Sequence, residues 1–178
     1  MKKFLFIFSL IGCFFFTLNA EAQVKETEKL IAASKNQITK NLNGWHKAAA
    51  DADFKKYFGY MTKDAVFIGT DATENWDLKS FKKFSKPYFD EGKAWSFTPL
   101  ERNIYVSLNR GIAWFDELLS TQMGICRGSG VMKMDGDSWK IQHYVLSIAI
   151  PNENVDEITK MKKEFDENLI SALQKSEQ

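Results

Sequence analysis

Residues 111–147 decide the fold, and they read GIAWFDELLSTQMGICRGSGVMKMDGDSWKIQHYVLS. Three runs in this stretch, 112–119, 126–134 and 139–147, are rich in β-branched and aromatic residues and predict strands. The Asp-Gly-Asp run at 135–137 is typical of a hairpin turn, because glycine accepts the positive φ that a tight strand reversal requires. We therefore expect an antiparallel sheet against which the earlier part of the chain packs.

The chain before this sheet predicts mostly helix. Apolar residues at helical spacing predict a helix over 24–50, and Asp53 and Asp77 are placed to cap two shorter helices. A short strand over 65–68 separates those two helices. A later strand is interrupted near Pro99, because proline cannot donate to a strand ladder. This order predicts the α+β class, with helices gathered on one face of a bent antiparallel sheet.

Residues 154–178 predict a separate C-terminal amphipathic helix. Its apolar residues recur at helical spacing among many Lys and Glu: Val155, Ile158, Met161, Phe165, Leu169 and Leu173. We expect this stripe to cover the sheet or the N-terminal helix, or to join a second subunit. A membrane-surface role is disfavoured because acidic residues are as frequent as basic ones on the polar face.

Residues 1–22 have the layout of a secretory signal peptide. Lys2 and Lys3 precede an apolar run over 4–18, and residues 20–22 read Ala-Glu-Ala, a small-x-small cleavage site. The run is shorter than the ~20 residues that span a bilayer, so no stable membrane span is expected. We expect an exported protein, periplasmic or secreted. The alternative is a lipoprotein anchored at Cys13, which the apolar residues directly after this cysteine disfavour.

Composition restricts the classes of function. The second of the two cysteines is Cys126, so the mature chain expected after cleavage has no internal disulfide and no cysteine-based zinc site. With two histidines in the chain, no metal centre is expected, and no cofactor is indicated. The formal net charge is +1 with interspersed signs, which gives no electrostatic footprint for nucleic acid.

Seven ordered segments between about residues 45 and 153 carry a family resemblance. They are Asp53-Phe54, Phe67 to Asp71 with Glu74 and Trp76, Ala113-Trp114-Phe115 with Glu117, Arg127 to Val131, Trp139-Lys140-Ile141, Leu146-Ser147 and Pro151-Asn152-Glu153. Together they resemble the SnoaL-like branch of the nuclear transport factor 2-like superfamily.

The resemblance implies a cystatin-like cone, in which a curved antiparallel sheet wraps around an N-terminal helical layer and encloses a pocket. It assigns residues 23–153 to the domain. It also implies a homodimer through the sheet, since members of the superfamily commonly dimerise there. No single function is implied, because the superfamily hosts isomerases, cyclases, dehydratases, transport adaptors and binding domains.

The adjacent acids Asp116 and Glu117 are the first candidate site. Strand alternation sends neighbouring residues to opposite faces, so one of the two carboxylates points inward. An inward acid must be hydrogen-bonded, paired or neutralised, because an isolated buried charge is costly. One interpretation is an ion pair with Arg127, or a position near water at a rim. The other is a carboxylate that faces a ligand and accepts a hydrogen bond or a proton.

His143 is the second candidate, and alternation places it on the strand face of Trp139, Ile141 and Val145. With a turn over 135–138, the facing positions are Met132, Gly130, Gly128 and Cys126. The glycines would leave room for an imidazole at a pocket wall. The alternative is a histidine satisfied in the core or at a rim. A turn one residue shorter would instead place Arg127 and Ser129 on the His143 face.

Other positions refine what the resemblance implies. Related sequences often carry a histidine where this chain has Val145. Ketosteroid isomerase relatives use an acid on the first strand, where residues 66–69 are apolar, so steroid-type isomerisation is disfavoured. Glu74 and Trp76 are expected either at the rim of the pocket or in a helix cap with a packed indole.

These observations favour an exported domain that binds a small, largely apolar ligand in the cone pocket. The expected ligand-binding residues are Trp76, Trp114, Glu117, Arg127 and His143. The first alternative is an acid–base enzyme, a cyclase, dehydratase or hydrolase of a small molecule. Its candidate catalytic residues are His143, Asp116 and Glu117, with Arg127 stabilising an anion. The second alternative is a structural, dimeric interaction module.

Overall fold

The computed structural model describes the backbone of residues 2–92 and 94–176, with side chains for residue 21, residues 23–92 and residues 94–176. The chain divides into two compact units, residues 1–147 and residues 148–178. The helices are α1 (Lys2–Ala50), α2 (Phe54–Gly59), α3 (Leu78–Asp90) and α4 (Val155–Ser176), with a short 3-10 turn at Asn152–Asn154. The strands are β1 (Met61–Ile68), β2 (Asn75–Asp77), β3 (Phe97–Val106), β4 (Ile112–Thr121), β5 (Gly124–Asp135) and β6 (Ser138–Ile148).

All six strands form one sheet in the order β2-β1-β6-β5-β4-β3. The three strands predicted from residues 111–147 are confirmed, and the turn between β5 and β6 contains Gly136 at φ +61°. The β3–β4 ladder shifts register between Pro99 and Glu101, where the proline predicted an interruption. One feature was not predicted: β1 pairs with β6 in parallel, while it pairs with the short β2 in the antiparallel sense.

Strand β6 changes which of its residues face the core. Trp139 and Ile141 are buried near its start, whereas Tyr144 and Leu146 are buried near its end. Residues two apart share a face of a regular strand, so this change requires an irregularity at 142–143. The ladder between β1 and β6 is irregular over the same stretch. The expectation that His143 shares the face of Trp139 and Ile141 is therefore wrong, and Tyr144 takes the inward position.

The helices begin where the sequence predicts. The carboxylate of Asp53 accepts the backbone N–H of Lys56, and that of Asp77 accepts the backbone N–H of Ser80. These caps satisfy N–H groups that the first turn of a helix leaves without a partner. Helix α1 is longer than the predicted 24–50, since it spans Lys2–Ala50. The side chains of the expected signal peptide, including Cys13, lie outside the described residues apart from Glu21, so export stays a prediction.

The core of the first unit lies between α1, α2, α3 and the inner face of the sheet. Its largest fully buried apolar side chains are Trp45, Trp139, Tyr57, Tyr144, Phe81, Ile38, Leu42, Leu119, Met132 and Ile141. Cys126 is buried among them, with its Sγ 3.5 Å from the Thr121 hydroxyl. The second unit is mainly α4, in which no residue is buried. Within the described parts of the chain, no helix is both long and apolar enough to cross a membrane.

Candidate functional site

Glu117 is a fully buried carboxylate at the centre of the sheet's inner face. Strand β4 alternates regularly, so Ala113, Phe115 and Glu117 point into the core while Asp116 is half-buried on the opposite face. This settles which of the two adjacent acids faces inward. A buried carboxylate must have partners, because removing an unpaired charge from water costs on the order of several kcal/mol.

Four hydrogen bonds satisfy the Glu117 carboxylate. Its Oε1 accepts from Nε2 of His46 at 2.8 Å and from the Tyr144 hydroxyl at 3.1 Å. Its Oε2 accepts from both Nε and Nη2 of Arg102, at 2.8 and 2.7 Å, so two N–H groups of the guanidinium converge on one oxygen of the ion pair. Arg102 also donates from Nη1 to the Asn43 side chain at 2.7 Å. A carboxylate has about four acceptor positions, so Glu117 has none left for a ligand.

The electrostatics of this Glu117 cluster, defined as His46, Arg102, Glu117 and Tyr144, keep the acid ionised. Burial acts to raise the pKa of Glu117, but the hydrogen bond and charge of His46 and the charge of Arg102 together hold that pKa below its usual value of 4.5. Burial and the neighbouring Glu117 charge raise the pKa of Tyr144 well above 10.0. The tyrosine is therefore a neutral donor to a charged acceptor.

The glycines of β5 make room for this cluster. A Cβ on Gly128 would lie 2.1 Å from the Tyr144 hydroxyl oxygen, and one on Gly130 would lie 2.4 Å from the backbone carbonyl oxygen of His143. The sequence predicted that these glycines leave space for the His143 imidazole. The space above Gly128 is instead occupied by Tyr144, because β6 changes face before it reaches that residue.

The ion pair expected between the inward acid and Arg127 is replaced by one with Arg102. Arg127 pairs across the ladder with Leu118, so it shares the outer face of the sheet and is exposed. Arg102 lies on the neighbouring strand β3, where it is the direct cross-strand partner of Glu117 on β4. Cross-strand partners point to the same face, which is why Arg102 is the arginine that reaches the carboxylate.

The other expected site residues lie apart from the Glu117 cluster. Trp114 is on the outer face, 49% exposed, and stacks on Tyr105 with ring centroids 5.8 Å apart. Asp116 accepts a hydrogen bond from the Asn103 side chain at 3.1 Å. His143 is half-buried and pairs with Val66 of β1. Trp76 alone among the expected ligand-binding residues lines a cleft described below.

A second region of the first unit is open and aromatic. The inner cleft has a volume of about 160 Å³ and is lined by Phe67, Gly69, Thr70, Glu74, Trp76, Phe81, Phe84, Trp95, Phe97, Gln122, Met123 and Leu146. Its rings lie nearly parallel. Trp76 and Phe84 are 4.4 Å apart at 22°, and Phe81 and Trp95 are 5.9 Å apart at 25°. Such a stack presents flat apolar faces to a ligand.

An outer groove of about 650 Å³ adjoins the inner cleft. It is lined by Phe84, Tyr88, Ala94, Trp95, Ser96, Thr98, Ser120, Thr121 and Gln122. Phe84, Trp95 and Gln122 border both spaces, so the two lie side by side. Among the side chains that the structure describes, no group of three or more His, Cys, Asp or Glu is placed to hold a metal ion.

Three members of the Glu117 cluster were missed from the sequence. His46 has a signal, since it lies four residues after Leu42 on the apolar stripe of α1, where a polar residue is expected to be buried and paired. Arg102 could be found only from the β3–β4 register, which shifts beyond Pro99. The inward position of Tyr144 could be found only by knowing that β6 changes face at 142–143.

A helical layer covered by a curved six-stranded sheet, with an aromatic cleft at its edge, defines the nuclear transport factor 2-like class of cone-shaped α+β proteins. The SnoaL-like domain family matches residues 38–151, and the chain belongs to that family. Among curated proteins, none matches the sequence significantly.

Solved structures with low sequence identity share the fold. A nuclear transport factor 2-like protein of unknown function from Pseudomonas putida is 14% identical, with a TM-score of 0.59, over 69% of this chain and 92% of that chain. A proposed dehydratase from Streptomyces avermitilis is 11% identical, with a TM-score of 0.55, over 65% and 96%. The association domain of C. elegans CaMKII is 19% identical, with a TM-score of 0.55, over 66% and 97%. These likenesses establish the fold alone.

Proposed function

We propose that this SnoaL-like domain binds a small, largely apolar molecule in the inner cleft. The observation that carries the proposal is the stack of nearly parallel rings of Trp76, Phe81 and Phe84, which opens onto the outer groove. Ligand sites are typically concave and mainly apolar, with few polar groups that fix orientation. Here Thr70, Glu74 and Gln122 are the polar side chains that line the inner cleft.

Binding without catalysis is supported by the state of the Glu117 cluster. A general base must offer an acceptor to the proton that it removes. Both oxygens of Glu117 already accept two hydrogen bonds each, and the side chain is fully buried. The cluster joins α1, β3, β4 and β6, so we assign it to holding the cone together.

The proposal is tested by native mass spectrometry and by a fluorescent probe. We expect gently purified wild-type protein to carry a small molecule and to bind N-phenyl-1-naphthylamine, a neutral aromatic dye that brightens in apolar surroundings. Trp95→Ala should lose both, because its indole borders both spaces. Lys55→Ala, which removes an exposed side chain of α2 that borders neither space, should lose neither. A folded wild type that carries no molecule and binds no dye would overturn the proposal.

An acid–base enzyme is the second candidate, and His46 favours it. This histidine borders a further groove of about 550 Å³ and is held by Glu117, as a general base is held by its orienting acid. The chain has two histidines, so diethyl pyrocarbonate distinguishes the candidates. Under the binding proposal, His143 reacts and the buried His46 is protected. A reactive His46 in the folded protein would favour the enzyme instead.

We also propose export and a homodimer through the outer face of the sheet. The signal-like residues 1–22 support export, and fractionation of a producing bacterium would test it. The exposed, stacked pair of Tyr105 and Trp114 supports the dimer. In sedimentation equilibrium, a wild-type dimer that Trp114→Glu converts to a monomer would agree with it. A monomeric wild type would contradict it.

A further inference from the structure

We infer that the ligand is a neutral amphiphile, with one benzene-sized apolar group in the inner cleft and a hydroxyl-rich head in the outer groove. The inference rests on the proposed function and specifies the chemical class of its ligand. It follows from the sizes of the two spaces, from the side chains on their walls and from the shortage of charge around them.

The inner cleft sets the size of the apolar group. Its volume is about 160 Å³, and an apolar cavity of roughly 150 Å³ holds one benzene molecule. The rings of Phe67 and Phe81 stack at 4.1 Å and 12°, and Trp76 lies at 17° to Phe81. A flat ring is the shape that extends such a stack, because offset parallel rings attract one another.

The outer groove combines two chemistries in its lining. Phe84, Tyr88 and Trp95 supply aromatic rings. The lining also includes the Ser96, Thr98 and Ser120 hydroxyls and the Gln122 amide, each able to donate and to accept a hydrogen bond. Thr98 and Ser120 are cross-strand partners, so their side chains share a face. A saturated ring with apolar faces and hydroxyls at its edge matches both kinds of side chain.

Charge around the two spaces favours a neutral ligand. Among the described lining residues, Glu74 is the one acidic side chain, and no lysine, arginine or histidine is present. An anionic head would therefore meet no cation among these lining residues. A cationic head is also disfavoured, because recognition of quaternary ammonium groups uses a cage of rings, whereas these rings are stacked.

Isothermal titration of the full chain with phenyl β-D-glucopyranoside, methyl β-D-glucopyranoside and toluene tests the inference. We expect the phenyl glucoside to bind at least about tenfold more tightly than either fragment, because it alone occupies both spaces. The double variant Ser96→Ala with Ser120→Ala should weaken the phenyl glucoside by about tenfold and leave toluene unchanged, because both side chains line the outer groove and not the inner cleft. Lys55→Ala, which removes an exposed side chain of α2, should change neither affinity.

The outcomes separate this inference from the proposed function. If toluene binds as tightly as the phenyl glucoside, the hydroxylated head is wrong and the apolar cleft stands. If choline binds more tightly than the phenyl glucoside, the neutral class is wrong. If a folded wild type, checked by near-ultraviolet circular dichroism, binds none of these compounds and no N-phenyl-1-naphthylamine, the proposed function itself fails.

Discussion

The Glu117 cluster and the two open spaces, the inner cleft and the outer groove, lie in the same unit. They differ in whether their polar groups already have hydrogen-bond partners within the protein. In the cluster, two basic side chains and a tyrosine hydroxyl occupy both oxygens of one carboxylate, which has no exposed surface. In the cleft, aromatic faces and hydroxyls border open space. Ionisable residues therefore mark the site that stabilises the fold, and residues without charge mark the site open to a ligand.

The largest expected effect is the loss of stability when Glu117 is replaced by alanine. The substitution leaves the Arg102 guanidinium and the His46 ring buried without their acceptor, which costs about 3–5 kcal/mol of unfolding free energy. Urea unfolding followed by circular dichroism measures this cost.

The matched control for Glu117 is its neighbour Asp116. Asp116→Asn changes a half-buried acid whose one described partner is the Asn103 amide, so we expect a change within about 1 kcal/mol. Equal losses for the two variants would show that the cluster does not stabilise the fold as its geometry indicates.

A second prediction concerns the space above β5. Gly128→Ala places a Cβ 2.1 Å from the Tyr144 hydroxyl oxygen, so the hydroxyl must move away from Glu117. We expect a loss of about 1–3 kcal/mol, as for other overpacked cores. Gly59→Ala is the control, because its Cβ meets nothing within 4 Å. Should Gly128→Ala be as stable as Gly59→Ala, the inner face is looser than described.

The third prediction is a loss of stability in acid that depends on Glu117. Its pKa is below 4.5 in the folded protein, so the unfolded chain binds the proton first. The stability that Glu117 contributes is complete above about pH 4.5 and is lost as pH falls through the lower, folded pKa. Unfolding free energies between about pH 3 and 7 should therefore fall more steeply for wild type than for Glu117→Gln. Parallel curves would contradict the assigned charge state.

The smallest effect separates the two arginines. Arg127→Ala removes an exposed side chain from the outer face and should change the unfolding free energy by less than about 0.5 kcal/mol. Arg102→Ala removes the buried ion-pair partner of Glu117, with its two hydrogen bonds, and should cost several times more, about 3 kcal/mol. A larger loss from Arg127→Ala would favour the ion pair first expected from the sequence.

Local patterns predicted most of the fold. Alternation over residues 112–119 located β4, and the capping acids Asp53 and Asp77 located the starts of α2 and α3. The site was harder because it depends on which residues face each other across strands. The register shift beyond Pro99 brings Arg102 to Glu117, and the irregularity at 142–143 turns Tyr144 inward in place of His143. Pro99 signals where the first irregularity falls but not the register that follows it, and the second has no local sequence signal.

Only one part of the inner cleft could be predicted from the sequence. Trp76 could be placed near a pocket mouth from its position before α3. Trp95 and Gln122 meet at the border of the two spaces because the antiparallel β3–β4 ladder pairs Phe97 with Thr121. A cross-strand pairing depends on two segments together, so neither stretch of the sequence encodes it alone.

The parallel pairing of β1 with β6 has a consequence for the order of folding. The β1–β6 ladder pairs Val66 with His143, 77 positions later, so it cannot form until β6 is available. Contacts so distant in sequence slow folding, because the chain loses the entropy of closing a long loop before the contact forms and stabilises it. As the chain emerges from the ribosome, the apolar faces of α1, α2 and α3 are complete long before β6 exists. These apolar faces therefore lack the part of their cover that β6 supplies from the synthesis of Phe89 until that of Leu146.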